Sequence, residues 1–141
     1  MLENIIRRLE LASNVSELDA WRYATDSAVM SQKVRKWILE QLDEGINADD
    51  EIIGYYSYNN KQLKGRDTYN LDDTGLFRST ISSYGTSDAI IIVANGQKED
   101  ENIIDKYSVR VIELTQEHKL LFIEFILKEY SIFLRNVLQI N

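Results

Sequence analysis

The residue pattern most directly associated with chemistry is Asp73-Thr74-Gly75. This tripeptide surrounds the catalytic aspartate of retroviral-type aspartic proteases, in which two carboxylates, one from each subunit of a dimer, share a proton. That chemistry needs the aspartate in a buried loop of a nearly all-β fold, whereas about half of this chain has helical patterns. We therefore predict a structural turn at Asp73, Thr74 and Gly75, because Asp and Gly dominate turns. A protease dimer that uses Asp73 is a remote alternative.

Three acidic clusters are the only groups of residues that resemble metal ligands: 49–51, 72–73 and 99–101. None has the alternating Asp-x-Asp-x-Asp-Gly order that wraps oxygen ligands around calcium. The segments at Gly65 and Gly96 lack the flanking glycines and the Ser or Thr of a phosphate-binding loop. We predict solvated turns, no metal and no cofactor.

The composition removes most of the common catalytic machinery. The chain has no cysteine, which excludes disulfides, thiol catalysis and thiolate metal sites. Its one histidine, His118, excludes zinc sites built on several imidazoles and leaves one candidate base for a serine hydrolase. We expect His118 to be a surface or half-buried imidazole in the first turn of the last helix. The sequence predicts no catalytic residue.

Length and charge limit the partners. The 141 residues are enough for one domain, and 16 basic against 23 acidic residues give a net charge of -7. This sign repels nucleic-acid phosphates and anionic lipids, so we expect neither sequence-specific nucleic-acid binding nor membrane binding. The chain has no signal-peptide pattern and no run near the ~20 apolar residues of a membrane span. We expect a soluble protein made in a reducing compartment.

The N-terminal region, residues 1–45, has helical patterns over 2–12 and 27–44. In the second segment Val34, Ile38 and Leu42 recur every four residues, and Gly45 is suited to a left-handed helix stop. The sequence pattern over residues 46–114 predicts loops and a β-sheet. Loops are expected from 47 to 73, where the periodicity is lost and glycine, asparagine and aspartate recur.

The most secure strand is the β-branched run 89–94, whose composition is typical of a strand covered on both faces. Alternating apolar and small polar residues precede it, at Phe77, Ser79, Ile81 and Ser83, and predict an antiparallel hairpin joined by 85–88. A further strand is predicted where Tyr107, Val109 and Val111 alternate with polar residues.

The last segment, residues 115–141, predicts a long helix that is capped by Thr115 and runs to about Leu138. Its polar residues form one narrow stripe: Glu117, Glu124, Lys128, Ser131, Arg135 and Gln139. Almost all the other residues of this helix are apolar, and they cover more of its surface than packing on one sheet face requires. Either the helix is sunk in its own core or another subunit buries part of it. The fold class is α+β, with N-terminal helices, a small, mostly antiparallel sheet centred on 77–94, and this helix packed on the sheet.

Tyrosines and cations are interleaved between residues 55 and 69. Three interpretations are open: a protein interface, ordinary surface and core tyrosines, or single-stranded nucleic acid bound by stacking. Three cations are few for nucleic-acid binding in a protein with a net charge of -7. We favour the interface. The candidate interface residues, here and on the last helix, are Tyr55, Tyr56, Tyr58, Phe122, Ile126 and Phe133.

Short segments in a fixed order resemble small neck or tail-completion proteins of tailed bacteriophages. The segments are 41–46, 53–57, 71–79, Ala94 with Lys98, and 112–115. The resemblance implies a non-enzymatic virion subunit, made in the cytoplasm of a bacterial host. It implies a ring of copies of this chain on the axis between portal and tail, in contact with portal, connector or tail proteins. It also implies that Asp73, Thr74, Gly75, Phe77 and Ser79 form a structural turn at the start of the first strand.

The chain departs from this family at Ser108 and Glu113, where the family often has glycine. The resemblance implies an irregular link into the last helix here. The alternation at 107–111 predicts a strand instead, and we keep the strand as our prediction. A ring subunit needs complementary patches on two flanks, and the last helix and the tyrosines are candidates. The alternative is a small acidic adaptor or immunity-type protein-binding module.

Overall fold

The computed structural model describes residues 1–139; Ile140 and Asn141, the end of the predicted segment 115–141, lie outside the described residues. Among residues 1–139, none of the helices combines the length and apolar character needed to cross a bilayer. The helices are α1 (Leu2–Ser13), α2 (Glu17–Thr25), α3 (Ala28–Glu44), α4 (Tyr58–Lys64), α5 (Leu76–Ser79), α6 (Ile103–Tyr107) and α7 (Gln116–Leu138). The strands are β1 (Ser82–Gly85), β2 (Ile90–Val93), β3 (Gln97–Lys98) and β4 (Glu101–Asn102), and Val109–Ile112 is a 3-10 turn.

The α+β class predicted from the sequence is confirmed. Strands β1 and β2 pair antiparallel with Ser83 opposite Ile92, and β3 and β4 form a second antiparallel pair. Helix α7 lies across this part of the molecule, with Phe122 beside Ile90 and Ile92 of β2, and also packs along α2 and α1. The predicted hairpin and the long C-terminal helix are therefore both present.

The N-terminal region is helical as predicted, with one helix more than expected. Helix α2 begins at Ser16, whose hydroxyl accepts a hydrogen bond from the backbone N–H of Asp19, while the Asp19 carboxylate accepts from the N–H of Ser16. This reciprocal capping satisfies two free donors and stabilises a short helix. Helix α3 ends as predicted at Gly45, which has a φ of 78°.

Helix α3 forms the centre of the hydrophobic core. Its residues Val34, Ile38 and Leu42, predicted from their spacing, are fully buried. They pack with apolar residues from the other elements: Met30, Phe77, Ile81, Ile103, Val111, Ile112 and Leu114. Polar side chains of α3 also anchor β1, since Ser31 Oγ donates to the carbonyl oxygen of Ser83 at 2.8 Å and Arg35 Nε donates to that of Ile81 at 3.1 Å.

The predicted first strand is wrong in its first half. Phe77 and Ser79 belong to helix α5, and the strand begins only at Ser82. Gly75 precedes the helix with a φ of 76°, so the chain turns here before it can extend. Alternation failed as a signal because Phe77 is buried from a helical turn. Strand β2 was predicted to be covered on both faces. That prediction is wrong, because the strand is only half-buried and Val93 is exposed.

The predicted strand over Tyr107, Val109 and Val111 is also wrong. Asn102 caps helix α6 by accepting hydrogen bonds from two backbone N–H groups, and a 3-10 turn follows the helix. Ser108 lies between them with a φ of 76°, a conformation that favours glycine and breaks any strand. Val111 is buried by the turn, which puts it in the core without a sheet.

The buried side chain of Gln41 joins α3 to the start of α7. Its Nε2 donates to the carbonyl oxygen of Glu113 at 2.8 Å, and its Oε1 accepts from the backbone N–H of Thr115 at 2.9 Å. The same Oε1 lies 2.7 Å from Nδ1 of His118. Thr115 caps α7 as predicted, because its hydroxyl accepts from the N–H of His118. One amide therefore fixes both the link into α7 and its first turn.

We predict that Gln41→Met lowers the free energy of unfolding by about 2–4 kcal/mol, because the buried Thr115 N–H loses its partner at about 1–3 kcal/mol and the half-buried Glu113 carbonyl at about 1 kcal/mol. Methionine has a similar volume, so the loss reports hydrogen bonding rather than a cavity. The control is Gln116→Met, at an exposed position of α7, which should change the value by less than about 0.5 kcal/mol. Urea unfolding measures both. Equal stability of the two variants would contradict the role of Gln41.

Candidate functional site

The tyrosines form an arm that projects from the end of α3. We call residues Gly54–Tyr69 the tyrosine arm. Its two sides run antiparallel: the Tyr56 N–H donates to the Asp67 carbonyl at 2.9 Å, and the Tyr69 N–H donates to the Gly54 carbonyl at 2.8 Å. Helix α4 forms the tip, ended by Gly65 with a φ of 65°. The sequence predicted loops in this segment, so helix α4 was not predicted.

The three candidate tyrosines of the arm have different environments. Tyr55 and Tyr58 are 64% and 76% exposed, whereas Tyr56 packs edge-on against Tyr69 with ring centroids 4.7 Å apart. Tyr69 in turn packs against Tyr107 of α6, at 5.9 Å. Tyr56 therefore helps to hold the arm on the body of the protein, while Tyr55 and Tyr58 are available to a partner.

The three candidate residues of α7 face the interior rather than solvent. Phe122 packs against the core, Ile126 lies near Trp21 of α2, and Phe133 contacts Tyr23 of α2 with ring centroids 5.2 Å apart. All three are half-buried. Phe122, Ile126 and Phe133 thus hold α7 on α2 and β2, and their half-burial is intramolecular; that they also belong to an interface stays a prediction.

The outward face of α7 is the larger unpartnered apolar surface. Leu120, Ile123 and Leu127 are 53%, 52% and 62% exposed. Across α7, all of which the structure describes, no residue is fully buried. The alternative of a helix sunk in its own core is therefore wrong. Helix α1 has the same character, with Leu2, Ile5, Ile6 and Leu9 exposed.

Asp73, Thr74 and Gly75 form the predicted structural turn. The Thr74 hydroxyl accepts from the N–H of Leu76 at 3.3 Å, and Gly75 takes the left-handed conformation that starts α5. The exposed Asp73 carboxylate lies 2.5 Å from Lys98 Nζ and 3.5 Å from Lys64 Nζ. The hydrogen bond and charge of Lys98, followed by those of Lys64, lower the pKa of Asp73 below its usual 3.8. Proton sharing between two carboxylates requires the opposite shift in one of them.

The Asp73 turn lies on the rim of a cleft of about 410 Å³ between the tyrosine arm and β3. Its charged lining is balanced: Lys106 pairs with Glu101 at 2.8 Å, and Lys98 and Lys64 pair with Asp73. The hydrogen bond to Glu101 raises the pKa of Lys106. The cleft therefore presents aromatic side chains and mutually neutralised charges, and its ion pairs tie the arm to β3.

The acidic clusters make structural contacts. Asp49 pairs with Arg110, whose guanidinium lowers the pKa of Asp49 by hydrogen bonding. Asp72 pairs with Arg78 at 3.6 Å. Within residues 1–139, no group of three or more acidic or histidine side chains is placed to hold a metal ion.

His118 is half-buried, as expected, and its partners come from α3. The imidazole stacks on Trp37 with ring centroids 6.0 Å apart, and Nε2 lies 3.7 Å from a carboxylate oxygen of Glu40. The spacing within α7 could not reveal these contacts. Gln41 was missed as well, although a signal existed: it is a polar residue on the same helical face as Val34 and Ile38.

We predict that Gly45→Ala loosens the tyrosine arm. A Cβ at Gly45 would lie 2.5 Å from Thr68 Oγ1 and 2.9 Å from the Tyr69 carbonyl oxygen, in a backbone conformation with a φ of 78°. We expect a loss of about 2–4 kcal/mol in unfolding free energy. Gly65→Ala is the matched control, because Gly65 has a φ of 65° but no atom within 4 Å of the added Cβ. It should cost only about 1–2 kcal/mol. Equal losses would show that the arm does not pack against Gly45.

We predict that Asp73→Asn lowers stability at pH 7 by less than about 1 kcal/mol, because exposed ion pairs contribute little. The folded-state pKa of Asp73 is lowered, so its contribution is present above the usual value of 3.8 and is lost as the pH falls through the folded-state pKa. The difference from the wild type should therefore be smaller at a pH well below 3.8 than at pH 7. Urea unfolding at both pH values measures it, and a difference that persists undiminished in acid would contradict the ion pairs.

The geometry thus offers three surfaces without a partner among the described residues: the exposed tyrosines Tyr55 and Tyr58 of the arm, the outward face of α7, and the exposed apolar residues of α1. The Asp73 turn, the ion pairs and the half-buried tyrosines hold the arm, and with it the first of these surfaces, in place. Comparisons with protein-family models, with curated proteins and with solved structures give no match to this chain.

Proposed function

We propose that the chain is a structural subunit of a tailed-bacteriophage virion, a neck, tail-completion or head-tail connector protein that assembles as a ring. The proposal starts from the order of short segments that resemble this family. Two of these segments occupy central positions in the fold: 41–46 contains Gln41 and Gly45, and 71–79 contains the Asp73 turn. The same segments therefore hold α7 and the tyrosine arm in place.

The observation that carries the proposal is the outward face of α7. A helix of 23 residues in which Leu120, Ile123 and Leu127 are all more than half exposed leaves a continuous apolar surface. Large exposed apolar patches mark surfaces that other proteins cover. A structural subunit of an assembly has such surfaces because other subunits cover them in the finished particle.

The tyrosine arm supplies a second surface, which a ring requires. Subunits in a ring meet head to tail, so each needs two different complementary patches. Tyr55 and Tyr58 present large amphipathic side chains, of the type enriched at protein interfaces. They belong to the arm, whereas the outward face of α7 belongs to the helix that follows the core, so the two patches are distinct.

The net charge of -7 agrees with a position on the path of DNA. An acidic surface repels phosphates, so DNA can pass a channel lined by it without binding. The same charge is compatible with the adaptor or immunity-type alternative, for which the structure provides no separate support. Finding the chain in particles distinguishes the virion proposal from the adaptor alternative, because an adaptor is absent from virions.

We predict that mass spectrometry of purified particles of the encoding phage or prophage detects the chain, in a constant ratio to the portal protein. Cryo-electron microscopy should place it as a ring on the particle axis. Absence of the chain from intact particles would contradict the proposal.

A variant pair tests the second surface. Tyr55→Ser combined with Tyr58→Ser should reduce incorporation into particles at least about tenfold, as expected for the loss of interface aromatics. Tyr84→Ser is the control, since Tyr84 is a 53% exposed tyrosine on β1, outside the arm. Circular dichroism confirms folding of each variant. Equal incorporation of all variants would exclude the arm from the assembly contact.

A further inference from the structure

The outward face of α7 has the spacing of a coiled-coil seam. Leu120, Ile123, Leu127, Tyr130 and Leu134 alternate at three and four residues, the repeat that keeps one line of side chains facing a partner helix. The first four of these are exposed and Leu134 is half-buried. We call these five residues the α7 seam. The helix thus has a regular partner-facing surface in addition to the half-buried face that packs on α2.

The polar stripe of α7 runs along one flank of this seam and changes sign halfway. Glu117 and Glu124 are acidic, and Lys128 and Arg135 are basic. Among the described residues, none of the four makes an ion pair. Each side of the stripe is therefore free to pair with an opposite charge on another molecule.

From these two features we propose that a second copy of this chain covers the α7 seam, with the two α7 helices antiparallel. In an antiparallel pair the same flank of each helix faces its equivalent on the partner, so stripe meets stripe. If the two copies are related by a twofold axis at Ile126, Glu117 of one copy lies opposite Arg135 of the other, and Glu124 lies opposite Lys128. Rotation about an axis at Phe125 pairs Leu120 with Tyr130 and Ile123 with Leu127, so the four exposed residues of the α7 seam meet one another. The two axes differ by one residue, about 1.5 Å along the helix.

A parallel pair fits the molecule less well. It would turn the stripe of one copy toward the other flank of its partner, where Ile126 and Phe133 are already packed near α2. The charges of Glu124 and Lys128 would then have no partner. Only the antiparallel arrangement satisfies the seam and the stripe together.

The dimer uses the same face of α7 as the virion proposal, so the two contacts form in turn and not together. An antiparallel pair is isologous and closes at two copies, whereas a ring needs head-to-tail contacts. The dimer would therefore be the form of the free protein, in which the seam is covered before assembly. If the chain is found in particles but is monomeric in solution, the dimer proposal fails and the virion proposal stands.

Light scattering of the purified full chain tests the dimer. The wild type should have twice the chain mass of 16.4 kDa, and Leu127→Glu should have the chain mass. Leu127 is 62% exposed, so the substitution leaves the core intact, which circular dichroism checks. Leu63→Glu is the control, at an 84% exposed leucine of α4 outside the seam, and should remain dimeric. A monomeric wild type, or a dimeric Leu127→Glu, would overturn the proposal.

Cross-linking tests the direction of pairing, and the absence of native cysteines keeps it clean. With a short thiol-specific reagent, Leu127→Cys should cross-link to itself because the two copies of residue 127 would be only about 6 Å apart along the helices. Leu120→Cys should not, because the two copies of residue 120 would be about 15 Å apart along the helices. Efficient self-linking of Leu120→Cys would indicate a parallel pair and overturn the proposal.

Charge reversal tests the stripe. Glu124→Lys alone and Lys128→Glu alone each place like charges in contact and should weaken the dimer at least about tenfold. An equal mixture of the two variants should restore dimers, and so should the double variant that exchanges both charges. Dimers of unchanged affinity in both single variants would show that the stripe does not face its equivalent.

Discussion

The hydrogen bonds of one buried amide determine where the last helix lies. Gln41 is almost completely inaccessible, and its side chain bonds to the Glu113 carbonyl, the Thr115 N–H and the His118 ring. A buried amide without partners is costly, so the contacts of residues 113–118 with this side chain stabilise the native position of α7. The register of α7 against α3 follows. The direction in which the α7 seam faces, away from the core, is a consequence of the same contact.

The end of α3 has a similar role for the tyrosine arm. Gly45 ends the helix, and its carbonyl accepts from the N–H of Ile53, so the chain returns along the helix end. Thr68 and Tyr69 approach Gly45 too closely for any side chain there. Two surfaces that are far apart in the sequence, the arm and α7, therefore depend on five consecutive residues.

Periodicity predicted the elements whose residues repeat over several turns and failed where single contacts decide. The burial of Val34, Ile38 and Leu42, the Gly45 stop and the Thr115 cap all follow from local spacing and are confirmed. The alternating patterns that begin at Phe77 and at Tyr107 gave wrong strand predictions, because short segments take the conformation that their buried side chains allow. Ser108 illustrates the difficulty, since its positive φ is imposed by the turn and not by its side chain. For the candidate site, the turn at Asp73 and the surplus apolar surface were predictable. The side of α7 that remains exposed was not, because it is set by Gln41.

Self-association of an acidic protein needs a surface on which charge does not oppose contact. At a net charge of -7, two copies repel one another over about the Debye length, near 8 Å at physiological salt. Helix α7 is an exception, because Glu117, Glu124 and Glu129 are balanced by Lys119, Lys128 and Arg135. Copies that approach through α7 meet where repulsion is weakest and exposed apolar area is large. Acidic stretches such as 43–51, which has five carboxylates and no cation, oppose contact through their own surface, so the charge that discourages aggregation also disfavours many other orientations. In this chain the distribution of charge, more than its total, determines which face a second molecule can cover.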